Sequence, residues 1–314
     1  MQVAGCSCAG RLGNSGFPSV KPFGVTAGFL FVPILADDGT RNGLDLTSTT
    51  LGEALLALIN NTDPSKRAYP YLNLRNVTHT EADATYETAD NGERFKLRDG
   101  IKTIEFDVWD VTNQYYSKTS AACVEFGLYA IDVCGNLKGE KDGDMLYPRV
   151  VNQSSFNSMY IDATSDAGAK VHFSMDYSLL TNDGDQWMIP ISEFGAFNPL
   201  ELKGMIDVKF TIVDVTDSTH FVVDAQFDYG SAVDPLPWKG GVAADFTAYD
   251  VTDDSSLTIS TVVEDTTVRG RYTITLSSAV TATNNVKVNC FKAATGNLMN
   301  GYEGTALTFQ YSWT

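Results

Sequence analysis

Strict two-residue alternation between apolar and polar side chains recurs along this chain, and no other feature limits its fold so sharply. Successive side chains of a β-strand point to opposite faces, so the pattern suits ribbons buried on one side. In TIEFDVWDV, residues 103–111, Ile104, Phe106 and Val108 fall on one face and Glu105, Asp107 and Trp109 on the other. KVHFSMDY groups Val171, Phe173, Met175 and Tyr177. IDVKFTIVD turns Ile206, Val208, Phe210 and Ile212 inward, and HFVVDAQFDY does the same with Phe221, Val223, Ala225, Phe227 and Tyr229. Turn-forming DDG at 37–39, KDGD at 141–144 and NDGD at 182–185 punctuate the runs. The pattern predicts a mainly β chain of half-buried antiparallel strands.

Two segments depart from it. VTAGFLFVPIL, residues 25–35, is apolar and carries a proline; it is about half the length a membrane-crossing helix needs and reads as a buried strand. TLGEALLALINNTDP has Thr50 placed as an N-cap, Glu53 three residues on, and Leu55, Leu56, Leu58 and Ile59 at helical spacing before Asn60, Asn61 and Pro64. This capping-box signature predicts one helix, Leu51 to Asn60, packed against the sheet.

SAVDPLPWKGG, residues 231–241, has the composition of a linker. Beyond it, SLTISTVV, RYTITLS, VKVNCF and ALTFQYSW alternate again, turning Tyr272, Ile274, Leu276, Val286, Val288, Cys290, Phe309, Tyr311 and Trp313 inward. Short strands at this spacing predict a small immunoglobulin-like sandwich without the paired cysteines of antibody domains. The expected order is an arm over 1–24, a β domain over 25–233, a linker over 234–241 and the immunoglobulin-like sandwich over 242–314.

The 314 residues carry a formal net charge of −17, of which −14 lies in the first 240. Such an excess repels phosphate backbones and anionic lipid, so neither nucleic-acid binding nor membrane binding by the chain itself is expected. Basic residues occur singly, the densest group being Lys66 and Arg67, and no basic patch is visible. The residues before Val25 lack the charged-then-apolar order of a secretory signal, which implies synthesis and folding in a cytoplasm. Five cysteines, an odd number thinly spread, are expected to be free thiols; the Cys6 and Cys8 pair lacks the second half of a zinc site.

Phosphate-binding, dinucleotide-binding, nucleophile-elbow and zinc-protease motifs are all missing. The histidines His79, His172 and His220 are far apart and are expected to be ordinary surface or hydrogen-bonded residues. With 39 Asp and Glu residues, a carboxylate pair at glycosidase spacing would arise by chance. The D-G-D turns lack the twelve-residue EF-hand spacing. No catalytic residue, metal or cofactor is expected, and the chain reads as a non-enzyme.

The segments CSCAGRLGNSGFPS, ADDGTRNGLDL, RAYPYLNLRNVTHTEADATYETADNGERFKLRDGIKTIEFDVWD and CVEFGLYAIDVCGNLKGEKDGDMLYP resemble virion structural proteins of tailed bacteriophages, particularly those infecting Bacteroidetes. They look most like major tail proteins, the tail-tube subunits, over roughly residues 1 to 230. The resemblance implies a β-sandwich or half-barrel with a flanking helix, self-association into stacked rings around a channel, contacts with other tail and head-completion proteins, and a place in the virion after synthesis in the bacterial host cytoplasm. An immunoglobulin-like C-terminal domain fits it, since several such proteins display one. Another virion role, in head decoration, the neck or the tail terminator, is the alternative. A carbohydrate-binding adhesin is a further one, with Trp109, Trp187 and Trp238 as the candidate stacking residues.

Within that reading, Glu105, Asp107, Asp224 and Asp228 are candidate lumen-facing acids. Carboxylates lining a channel would repel DNA phosphates and let the polymer pass without sticking. A solvated outer face is the plainer account of the same alternation.

Overall fold

The computed structural model describes residues 23–109, 111, 116, 125–179, 185–230, 234–296 and 298–312. All of the expected arm but Phe23 and Gly24, together with Cys6, Cys8, Cys123 and Trp313, lies outside these. The described residues are mainly β, with an α-helix and curled, predominantly antiparallel sheets. The chain divides into two compact units, one ending at Leu202 and the other beginning at Lys203.

The strands of the first unit are β1 (Thr26–Pro33), β2 (Leu44–Asp45), β3 (Tyr69–Leu72), β4 (Arg75–Glu81), β5 (Thr85–Thr88), β6 (Arg94–Arg98), β7 (Lys102–Trp109), β8 (Phe126–Asp132), β9 (Leu137–Asp142), β10 (Met145–Tyr147), β11 (Arg149–Val150), β12 (Asn157–Ile161), β13 (Lys170–Asp176) and β14 (Gln186–Ile189). One sheet runs β2-β10-β9-β8-β1-β3, with β11 added to β8 and β14 to β9; a second runs β12-β13-β7-β4. The central strands β1 and β8 are buried on both faces, which is why their sequences are apolar without alternation. Phe29, Phe31, Phe126, Leu128 and Ala130 face Ile104, Phe106, Val171, Phe173 and Met175 of the second sheet. Leu30, Val32, Tyr129 and Ile131 face the other way, onto helix α1 (Leu51–Ile59).

Helix α1 seats Leu51, Leu55 and Ile59 in that core. The helix is where its periodicity places it, but the capping box is not formed: Thr50 makes no side-chain cap hydrogen bond. Glu53 still lies in the first turn, where its charge opposes the helix dipole. Gly52 permits the close approach of the helix start to a following turn, since a Cβ there would lie 2.8 Å from Phe197 Cβ.

The second unit contains β15 (Met205–Val215), β16 (His220–Gly230), β17 (Pro235–Pro237), β18 (Phe246–Asp250), β19 (Ser255–Leu257), β20 (Ile259–Glu264), β21 (Arg271–Leu276), β22 (Asn285–Lys292), β23 (Gly301–Thr305) and β24 (Leu307–Gln310). They form one sheet, β19-β18-β22-β23-β15-β16-β21-β20, with β17 on β16 and β24 on β22. The sheet curls until β20 approaches β18. The β15–β23 pair is parallel.

This differs from the expected boundary. Residues 205–230, assigned by composition to the 25–233 domain, pair with β21 and β23 of the C-terminal region, and the expected linker 234–241 is not a hinge between compact bodies. Its β17 pairs with β16, and Trp238 is 1% exposed, packed among Phe246, Tyr272 and Tyr302. The C-terminal strands thus do not close a separate sandwich over 242–314. Val208, Phe210, Phe221, Val223 and Ala225 share one core with Tyr272, Ile274, Val286, Val288 and Tyr311. The inward registers of Val208, Phe210, Phe221, Val223, Tyr272, Ile274, Val286, Val288 and Tyr311 fall as the alternation places them, whereas Ile206 and Tyr229 are only half-buried.

The cysteine expectation is corrected at one position: Cys134 is disulfide-bonded. Separation along the chain does not set the distance between cysteines in the fold. Cys290 is free and buried, as expected.

Candidate functional site

The outward face of β7 is not the open acidic surface that its sequence implies. Asp107 is 2% exposed. One of its carboxylate oxygens accepts hydrogen bonds of 2.7 Å from both Asn76 Nδ2 and Lys170 Nζ, and the other lies 2.8 Å from His172 Nδ1. Register puts His172 directly opposite Asp107 across the β7–β13 ladder, while Asn76 reaches it from a bulge in β4 at which its own φ is +53°. Burial pushes the Asp107 carboxyl upward, but the hydrogen bonds from Lys170, Asn76 and His172 outweigh it and hold the group below the ordinary carboxylate range. Arg75 and Lys170 lie over the Trp109 ring, at 5.2 and 5.7 Å from its centroid.

The other candidate acids differ among themselves. Glu105, half-buried, stands between Thr78 and Ser174 in register. Asp224 accepts a bidentate pair from Arg271, with Nε at 2.7 Å and Nη2 at 2.9 Å. Asp228 is exposed. Glu105 and Asp107 belong to the first unit, Asp224 and Asp228 to the second. Asp107 and Asp224 therefore do not present bare charges, because cations from neighbouring strands, which alternation within one strand does not reveal, are laid against them.

His172 and His220 are hydrogen-bonded residues as expected, paired with Asp107 and Asp217. Of the stacking candidates, Trp238 is buried and Trp109 is covered by cations, leaving Trp187, 53% exposed with Lys141 Nζ 4.5 Å from its ring centroid. Among the described residues no group of three His, Cys, Asp or Glu side chains is arranged to hold a metal ion.

The most distinctive surface feature is one the alternation reading passed over. Strands β5 and β6 form a two-stranded hairpin, exposed at every residue, that pairs with no third strand among the described residues. Its turn is closed by Ala89, Asp90, Asn91 and Gly92: Ala89 N–H donates to the Glu93 carbonyl, Gly92 N–H donates to the Ala89 carbonyl, and Gly92 takes a φ of +84°. Asp90-Asn91-Gly92 is the signal that marks it in the sequence. Phe95 and Leu97 share one face and Tyr86 takes the other, with Arg94 stacked 4.7 Å from its ring centroid. Tyr86, Phe95 and Leu97 are 47%, 53% and 60% exposed. An isolated two-stranded ribbon is marginal in water and gains stability from a further strand or an apolar surface.

No family model, curated protein or solved structure matches the chain.

Proposed function

We propose that this chain is a self-assembling structural subunit of a phage virion, and specifically a tail-tube protein that stacks as rings around a channel. The observation that carries the reading is the β5–β6 hairpin, whose apolar side chains are exposed and which has no strand partner in its own chain among the described residues. A neighbouring copy would supply the missing surface. Among the described residues, β4, β12, β19 and β20 stand at sheet margins, which a subunit can use for pairing and a lifelong monomer must blunt. The resemblance to tail-tube subunits supplies the particular assembly. Within it, Asp107 and Asp224 leave the set of candidate lumen-facing acids, since Lys170 and Arg271 compensate them inside the chain.

Sedimentation velocity over a concentration series, with negative-stain microscopy, tests the reading. Monomer is expected when dilute and rings or tubes when concentrated. The double substitution Phe95→Glu with Leu97→Glu is expected to abolish assembly while leaving the thermal transition in place, because neither side chain is in a core. A compact monomer at every concentration, or tubes formed equally well by the double variant, would overturn it.

A further inference from the structure

A cavity of about 530 Å³ opens at one end of the space between the two sheets of the first unit. That volume lies within the range of small-molecule sites. Its walls contain three basic side chains, Lys102, Lys138 and Arg149, with His79 beside them, against a single carboxylate, Glu81. This is a basic enclosure in a chain of net charge −17. The three cations come from β7, β9 and β11, so they meet only through tertiary pairing.

Their placement is unusual. Lys138 stands opposite Ala130 and Arg149 opposite Leu128 in the β8 ladders. Ala130 and Leu128 belong to the apolar core between the sheets. Directly opposed residues share a face, so both cations are on the side of the sheet that elsewhere is filled by phenylalanine. Arg149 is stacked 3.6 Å from the Tyr177 ring centroid, and Lys138 Nζ is 5.5 Å from that of Phe23. Lys102 has Glu81 at 3.9 Å. Lys138 has no carboxylate within ion-pair distance among the described residues.

The electrostatics agree with the geometry. Desolvation, followed by repulsion from Arg149 and Lys102, holds the Lys138 ammonium below the ordinary lysine range. Desolvation, then Lys138 and Arg149, likewise lowers the His79 imidazole. The depression of Lys138 and of His79 is what burial beside cations of like charge produces.

We infer that this cavity binds a small organic anion, its carboxylate or phosphate head held by Lys138, Arg149 and Lys102 and its apolar body against Val77, Leu128 and Tyr177. The inference is independent of the assembly proposed above, since it uses only groups within one copy. Isothermal titration of the full chain with benzoate, phenyl phosphate and benzyl alcohol tests it. The first two carry the head in its two chemical forms, and the third has the body without the charge.

Saturable binding of benzoate or phenyl phosphate at one per chain is expected, with benzyl alcohol at least about tenfold weaker. Lys138→Met keeps the aliphatic stem and removes the charge. It is expected to weaken the anion by about tenfold or more while raising the melting temperature of the ligand-free protein, because a crowded, desolvated cation is gone. A lysine with a merely structural role would give the opposite change in melting. Should that variant not fold, Lys102→Gln, on the facing sheet, is read in the same titration. Equal affinity for charged and neutral probes, or unchanged affinity in the variants, would overturn the inference. So would no binding of any probe up to about 10 mM. If an acidic side chain of a second copy fills the cavity instead, the probes would not bind and Lys138→Met would weaken self-association, which also refutes it.

Discussion

Replacing Asp107 by alanine probes whether the polar face of the second sheet is held together by this one carboxylate. The substitution removes the acceptor of two 2.7 Å hydrogen bonds and the partner of His172, all centred on β7. Breaking a buried ion pair from one side costs about 3–5 kcal/mol. Lys170 and His172 retain 23% and 30% of their side-chain surface, so water takes over part of their solvation and the expected loss is nearer 2–3 kcal/mol. For a unit of this size each kcal/mol moves the transition by about 2–4 °C, giving a fall of about 5–10 °C by calorimetry at neutral pH.

Two further measurements separate this cause from a general packing loss. Asp107 has a depressed folded pKa, so its ionisation stabilises the fold fully above the unfolded value of about 3.9 and progressively less as the pH falls through the folded one. The difference between wild type and Asp107→Ala should therefore shrink as the pH is lowered below about 4. The paired substitution Asp107→Leu with Lys170→Met, which removes both charges, should recover most of the loss. A fall of under about 2 °C for the single variant would sink the reasoning, as would a pair less stable than the single.

Other outcomes follow from particular positions. Cys290 is buried with its thiol pushed up to about 12, first by desolvation and then by Asp245 and Glu303; iodoacetamide at mildly alkaline pH should leave it unmodified in native protein and label it on unfolding, read by mass spectrometry. Leu55→Ala should cost about 2–5 kcal/mol in urea unfolding, because Leu55 is completely buried between helix α1 and the first sheet. Gly304→Ala should destabilise the second unit measurably, since a Cβ there would lie 2.6 Å from both Phe210 Cε2 and Asn289 Oδ1; a wild-type unfolding curve would contradict this.

Alternation is local, and what it encodes was legible. Val171, Phe173 and Met175, or Tyr272, Ile274 and Leu276, point inward because the two-residue repeat of a strand leaves no other choice once one face must be buried. The α1 segment was equally readable from its 3.6-residue spacing, although Thr50 does not make the cap bond its position invites. The hairpin was within reach through Asp90-Asn91-Gly92, a turn signal that strand faces alone do not weigh.

The partners of each strand were not legible, because pairing is a choice among distant segments. Proline and glycine around 231–241 imitate a linker, yet the register of β15 with β23 and of β16 with β21 moves the unit boundary back to Leu202. The same non-local pairing lays Lys170 and His172 on Asp107 and Arg271 on Asp224, turning an apparently acidic face into a compensated one. It also brings Lys102, Lys138 and Arg149, which look solitary in the chain, to the wall of one cavity. Side-chain direction was thus fixed by chain chemistry one residue at a time, whereas the neighbours of each charge, and with them its solvation and its possible ligand, were decided only when remote strands paired.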